Sequence, residues 1–244
     1  LCEAVVTALN AQEPAEVDWS SGQVRFALNR RLPSPSGFTN SPNFTGPRDH
    51  ALPVMRVKSL KDGRLIALHT SYACHCTTLS INKTHPDWAG CAQKELELRF
   101  PGVVAMTAIG CGADQNPYPR SELKHVMAHG AELGKEVVRV INRPMKPVQG
   151  PLACATRGIM LPYDTLPKKE EWQKRTEDKN KWTAQHARFF LAASKDPKGV
   201  PTALPYTVQV WSFGDSLLTI NLPGEVVVDY GLRLKKENDV ARTW

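Results

Sequence analysis

Gly102-Val103-Val104-Ala105-Met106-Thr107-Ala108-Ile109-Gly110 is the stretch that decides the fold. Apart from Thr107, everything between the two glycines is apolar, and a short apolar run closed by glycine reads as a strand buried in a sheet. Just before it, residues 87–100 place Trp88, Cys91, Ala92, Leu96 and Phe100 at helical spacing, with Asp87 where a helix cap belongs. Further upstream, residues 54–58 alternate with a period of two. Lys61-Asp62-Gly63 then turns the chain, and residues 64–73 return as a second strand, which together predict a hairpin. Downstream, residues 121–142 set Leu123, Val126, Met127, Leu133, Val137, Val138 and Ile141 along the inner side of a long helix, which Pro144 and Pro147 stop. Residues 168–194 read as another helix, residues 206–213 and 216–222 as strands about a Gly214-Asp215 turn, and residues 225–236 as a closing helix. Strands alternating with helices predict an α/β layered domain, and the hairpins make its sheet mixed, flanked by helices. Residues 32–50, rich in proline, serine, asparagine and glycine, read as a long surface loop.

The chain has 244 residues, 41% hydrophobic and 23% charged, which suits one sizeable globular domain with no need of disulfides to hold it. No run approaches the eighteen or so apolar residues that a membrane-spanning helix requires. Leu1-Cys2-Glu3-Ala4-Val5-Val6 reads as the end of a helix already under way, so the expectation is a partial catalytic domain, a piece of a longer protein. The net charge of +7 fits a basic soluble surface or attraction to phosphates or an anionic membrane face. No groove-reading motif accompanies it, so nucleic acid is not expected as a partner. The six cysteines form no small-domain disulfide framework, and most read as buried thiols. The compartment stays open, the periplasm and secretion included, and so does the oligomeric state.

Three segments put polar residues at the end of an apolar strand, where ligands bind in open α/β sheets. In Tyr72-Ala73-Cys74-His75-Cys76-Thr77-Thr78-Leu79, His75 ends a strand and must be hydrogen-bonded or bound to metal, a satisfied core histidine being the plainer alternative. In Gly110-Cys111-Gly112-Ala113-Asp114-Gln115-Asn116-Pro117, glycines allow close approach of a ligand, and Asp114, Gln115 and Asn116 offer donors and acceptors; a self-bonded turn is the alternative. In Leu222-Pro223-Gly224-Glu225, the carboxylate falls in the first turn of the last helix, where capping is an equal reading. Together, a histidine and a glutamate on neighbouring strand ends suit zinc, which takes imidazole and carboxylate and keeps a position open for water. Thr77, Asp87 and Asp114 then become supporting or acid–base groups around it. His125 and His129, four apart on one helix, are a weaker ligand pair read here as surface positions. A thiol hydrolase built on Cys74, Cys76 or Cys111 lacks an identifiable histidine–asparagine pairing.

These three segments, with Asn29-Arg30-Arg31, Gly46-Pro47-Arg48-Asp49 and Val208-Gln209-Val210-Trp211, resemble the neutral/alkaline non-lysosomal ceramidase family. They look like a bacterial branch of it that carries CHCTTL, GADQNP and PGE in this order. The resemblance covers nearly the whole chain. It implies a zinc amidase that cleaves N-acyl sphingoid bases by metal-activated water, with a lipid substrate, peripheral contact with membranes and one zinc per full-length chain. It also implies zinc binding by His75 and Glu225. The family's other ligands, a histidine in a His-Ser-Gly-Pro motif and a downstream tyrosine, have no match in these residues. The family's serine, in a Gly-Asp-x-Ser-Pro-Asn turn, has no counterpart either; Asp114 and Gln115 stand in that turn as the catalytic candidates, with Asn116 beside them. A related zinc hydrolase of another amide or ester, and a binding module that keeps the fold without catalysis, are the alternatives.

Overall fold

The computed structural model describes residues 2–35, 37–197 and 199–244. In chain order the elements are α1 (Cys2–Asn10), β1 (Ala15–Gln23), β2 (Ala27–Ser34), β3 (Gly37–Asn43), β4 (Ala51–Ser59), β5 (Leu65–Tyr72), α2 (Asp87–Arg99), β6 (Val104–Ile109), β7 (Gln115–Pro117), α3 (Leu123–Ile141) and β8 (Lys146–Pro147). They continue with β9 (Leu152–Pro162), α4 (Lys169–Arg175), α5 (Lys181–Ala193), β10 (Ala203–Phe213), β11 (Leu217–Asn221) and α6 (Val228–Glu237). The described residues divide into two compact units, one within 1–154, 210–220 and 224–244 and one within 155–209 and 221–223.

The first unit is an α/β layered structure around a mixed five-stranded sheet, ordered β6-β5-β4-β1-β8. β4 pairs antiparallel with both β1 and β5, as a hairpin requires, whereas β5 and β6 run parallel and are joined through α2. Leu68 and Tyr72 of β5 join the core with Leu52, Val54, Trp88, Ala92, Leu96, Leu133 and Val137. His69, one residue out of phase, stacks instead on Trp244 at 5.2 Å. α2 and α3 approach closely because Gly130 has no side chain, since a Cβ there would lie 2.6 Å from Cys91 Cβ. The inner stripe of α3 is Val126, His129, Leu133, Val137 and Val140; Leu123 and Met127, expected inside, are exposed.

The 102–110 run forms β6, but it is an edge strand and not a buried one. Only β5 flanks it; Val103 and Ala105 are covered, while Val104, Met106 and Ile109 are exposed. Continuous apolarity therefore overstated its burial. Residues 32–50 also depart from expectation, because β2 and β3 pair there as a hairpin and leave only 44–50 as loop. β2 pairs on its other side with β7, giving a second sheet ordered β3-β2-β7.

In the second unit, the helix expected over 168–194 is two helices, α4 and α5. Asn180 starts the second by accepting the Trp182 N–H at 3.0 Å. Trp172 and Phe190 stack with centroids 4.8 Å apart and, with Ala187, form a small core. Outside this division of the chain into units, a third sheet is ordered β11-β10-β9. No helix among the described residues is long and apolar enough to cross a membrane.

Candidate active site

The first two strand-end segments, and Val226 and Val228 just beyond the third, meet at one turn, residues 112–115, within the first unit. Beyond β6, the Gly110 N–H donates to Tyr72 O at 3.0 Å, holding the chain against the end of β5. Gly112 then passes so near that strand end that a Cβ would sit 2.7 Å from Cys74 N and 2.9 Å from Ala73 C, both main-chain atoms. Only glycine fits such an approach. The Ala113 N–H donates to Val226 O at 3.0 Å, and the His75 N–H donates to Gln115 O at the same distance, so the turn is tied to both other segments.

His75 is half-buried, and its Nε2 lies 3.2 Å from Ala113 O. A carbonyl oxygen can only accept, so Nε2 carries the proton, and in the neutral ring Nδ1 keeps its lone pair. Metal-binding histidines are held in this way, with one ring nitrogen donating to a fixed acceptor and the other presented to the ion. Ala113 O also accepts from Arg30 Nε at 3.0 Å. Trp88 Nε1 donates to His75 O at 2.9 Å, fixing the backbone behind the ring.

Glu225 is exposed and lies ahead of α6, which begins at Val228, so it is not in the helical first turn expected for it. Gly224 takes a φ of +74°, and Val227, extended at ψ 159°, is the residue after which the helix starts. The charge of Glu225 nevertheless reaches Arg30, whose proton it helps to retain.

Asp114 is buried, and both its oxygens are engaged. Oδ1 accepts the Val228 N–H at 2.9 Å, and Oδ2 accepts Asn29 Nδ2 at 2.9 Å. It is thus a carboxylate set at the N-terminus of α6, where exposed N–H groups and the helix dipole favour negative charge. Gln115 is fully buried; its Nε2 donates to Pro47 O at 3.1 Å, while Oε1 has no partner among the described residues. Thr77 Oγ1 makes a long hydrogen bond of 3.4 Å to Asn116 Oδ1.

Asp87 stands apart from this cluster. Its carboxylate accepts the Leu79 N–H at 3.1 Å and the Trp88 N–H at 2.9 Å, pinning the 79 loop to the start of α2. Among the hydrogen bonds it makes, none reaches the 112–115 turn.

Arg30 and Asn29 contact the turn directly, yet the sequence assigned them no role. They stand in the Asn29-Arg30-Arg31 motif, which was the available signal. Burial, and then the neighbouring Arg31, lowers the pKa of Arg30.

The cysteines are poor nucleophiles here. Burial raises the pKa of Cys74 well above the ordinary thiol value, that of Cys76 to about 11, and that of Cys111 as well. Of the six, only Cys74 is a fully buried residue, fewer than the sequence suggested, and all are free thiols. His129 is not a surface residue: it is buried, stacks on Phe26 at 4.5 Å and places Nε2 2.7 Å from Pro119 O. Among the described residues no three His, Cys, Asp or Glu side chains group as a metal site. His75 and Glu225 together fall short of the four ligands that zinc commonly takes.

No family model matches the chain, and no curated protein does. Solved structures do share its fold. Neutral ceramidase from Pseudomonas aeruginosa aligns at 17% identity with a TM-score of 0.66, over 96% of this chain and 44% of that one. A ceramidase complexed with C2 aligns at 15% identity with a TM-score of 0.67, over 95% of this chain and 46% of that one. The chain spans less than half the length of these structures. At such identities, what it shares with the ceramidases is their fold.

Proposed function

We propose that the chain is part of a zinc-dependent amidase of the ceramidase type, which hydrolyses an N-acyl sphingoid lipid to a fatty acid and a free amine. One observation carries this reading: the imidazole of His75 is held through Nε2 by Ala113 O, which leaves Nδ1 as the ligand atom on the turn where the Glu225 segment also arrives. The ceramidase fold and the three matching motifs support it. His75 and Glu225 would contribute two of the zinc ligands. Zinc bound there supplies polarisation of the scissile carbonyl and a water acidic enough to ionise near neutral pH.

The remaining roles belong to side chains of this chain. Asp114 positions the turn by fixing α6 and Asn29 against it. Gln115 offers neither a hydroxyl nor a titratable proton, so it serves by hydrogen bonding and not as a nucleophile. Asp87 and Thr77 stabilise the flanking 75–79 segment.

Metal analysis and activity of the full-length protein test the proposal. About one zinc per chain, lost in His75→Ala, with release of fatty acid from an N-acylsphingosine, is the expected result. A metal-free, inactive protein would leave a binding module that keeps the fold. The presence of Gln115 where the family has serine favours a second reading, a zinc hydrolase of a different amide or ester. Zinc with activity confined to non-sphingolipid substrates would select it.

A further inference from the structure

A cavity of about 100 Å³ lies beside the candidate site, lined by residues of β2, β3 and β7 and by the segment that follows β7. Its polar lining includes Asn29, Arg30, Asn40, Asn116 and Arg120. Among the described residues neither guanidinium forms an ion pair with a carboxylate. The arginines that form ion pairs among the described residues are Arg56, Arg64, Arg139, Arg175, Arg233 and Arg242. Asp114 is near Arg30, but its oxygens are taken by Val228 and Asn29, and Glu225 is exposed. Arg30 is fixed through Nε on Ala113 O, which leaves its two Nη groups to bind elsewhere. Asn116 accepts from Thr77 through Oδ1, so its amide N–H groups are likewise left to donate. Burial first, then Arg31 and Arg120, lower the proton affinity of Arg30, and the Glu225 and Asp114 carboxylates oppose them.

Such a cavity gathers guanidinium and amide N–H donors in its lining, while the Asp114 and Glu225 charges act on Arg30 from outside that lining without forming an ion pair with it. Guanidinium is always charged and matches the planar edge of a carboxylate or the face of a phosphate. The volume is enough for one such group. We propose that this cavity is an oxyanion subsite that receives a carboxylate or phosphate carried by the substrate, so that N-acyl amides bearing such a group are hydrolysed faster than matched neutral ones, N-acylsphingosine included. That the oxyanion belongs to a substrate rests on the amidase reading; that the cavity binds one does not. Arg30 joins the two places, since it lines the cavity and shares Ala113 O with His75.

The test measures binding and selectivity separately in the full-length protein. Calorimetry with inorganic phosphate and with acetate at low ionic strength should detect binding. Arg120→Gln should weaken it at least about tenfold, and Arg120→Lys should restore part of the loss. The ratio of kcat/KM for an N-acyl amino acid or an N-acyl phosphoamine to that for a matched neutral amide should fall by a similar factor in Arg120→Gln. Whichever acidic substrate is preferred identifies the source of the oxyanion. Phosphate binding without hydrolysis of any amide would uphold the subsite and remove the amidase reading. Amide hydrolysis with no oxyanion binding, or with binding unchanged in Arg120→Gln, would overturn the subsite alone. If that variant does not fold, the wild-type Tm decides: a rise in phosphate over chloride of equal ionic strength supports the subsite, and no rise overturns it.

Discussion

Replacing Asp114 with alanine should cost the first unit about 2–5 kcal/mol, whether or not the protein is an enzyme. The magnitude follows from what the carboxylate holds. Val228 N–H, buried at the start of α6, would lose its acceptor, a loss of about 1–3 kcal/mol. Removing a negative charge from a helix N-terminus adds about 0.3–1 kcal/mol. Asn29 Nδ2 would keep Pro47 O at 3.1 Å and lose its second acceptor, adding about 1 kcal/mol. For a unit of this size, a central loss of about 3 kcal/mol lowers Tm by roughly 6–12 °C. Asp114→Asn should fall between the two, because its side-chain oxygen can serve only one of the two donors and its NH2 must face the other. Thermal melting followed by tryptophan fluorescence measures both variants. A decrease under about 2 °C in Asp114→Ala would refute the reasoning, since it would mean neither donor depends on this carboxylate. A stable Asp114→Asn without activity would instead return Asp114 to the role of proton carrier.

Gly112→Ala should cost about 1–3 kcal/mol, because its Cβ meets main-chain atoms that cannot swing aside; Gly158→Ala, with open space around it, is the control and should leave Tm unchanged. Burial lowers the pKa of His50, His69 and His129, so protons bind the unfolded chain first as the pH falls. The stability these neutral rings contribute is whole above about pH 6.5 and is lost below it, by up to about 1.4 kcal/mol per pH unit for each ring. Urea midpoints between pH 7.5 and 5.5 should decline accordingly, less steeply in His129→Gln, and a flat profile would contradict this. Cys76, with its thiol near 11 through burial and then the Asp87 charge, should react with a disulfide reagent about tenfold faster per pH unit up to pH 10; a rate that levels off below pH 9 would count against it.

Long periodic segments were the most legible part of the sequence. α2 and α3 repeat their apolar residues over several turns, and the β4–β5 hairpin has both alternation and a Lys61-Asp62-Gly63 turn. β9 gave no signal, because every one of its residues is exposed and no face had to be apolar. The β2–β3 hairpin was hidden by Pro33, Pro35 and Pro42, which suggest loop although the two strands pair around them. For β6, composition reported apolarity but not which side had a neighbour. At the candidate site, the three segments could be read because each ends a strand. The partners of Asp114 could not, since Val228 lies 114 residues away and is brought there only by tertiary structure. α6 starts only after the extended Val227 and leaves Glu225 outside the helix, a boundary that periodicity alone does not locate.

Ala113 O receives both the imidazole of His75 and the guanidinium of Arg30. The acceptor that orients two long side chains therefore belongs to the peptide backbone and survives any replacement at position 113. Alanine scanning would pass over it, and natural drift can alter that residue without deleting the atom. Displacing the loop, or exchanging the amide for an ester by chemical synthesis, is what would expose its influence.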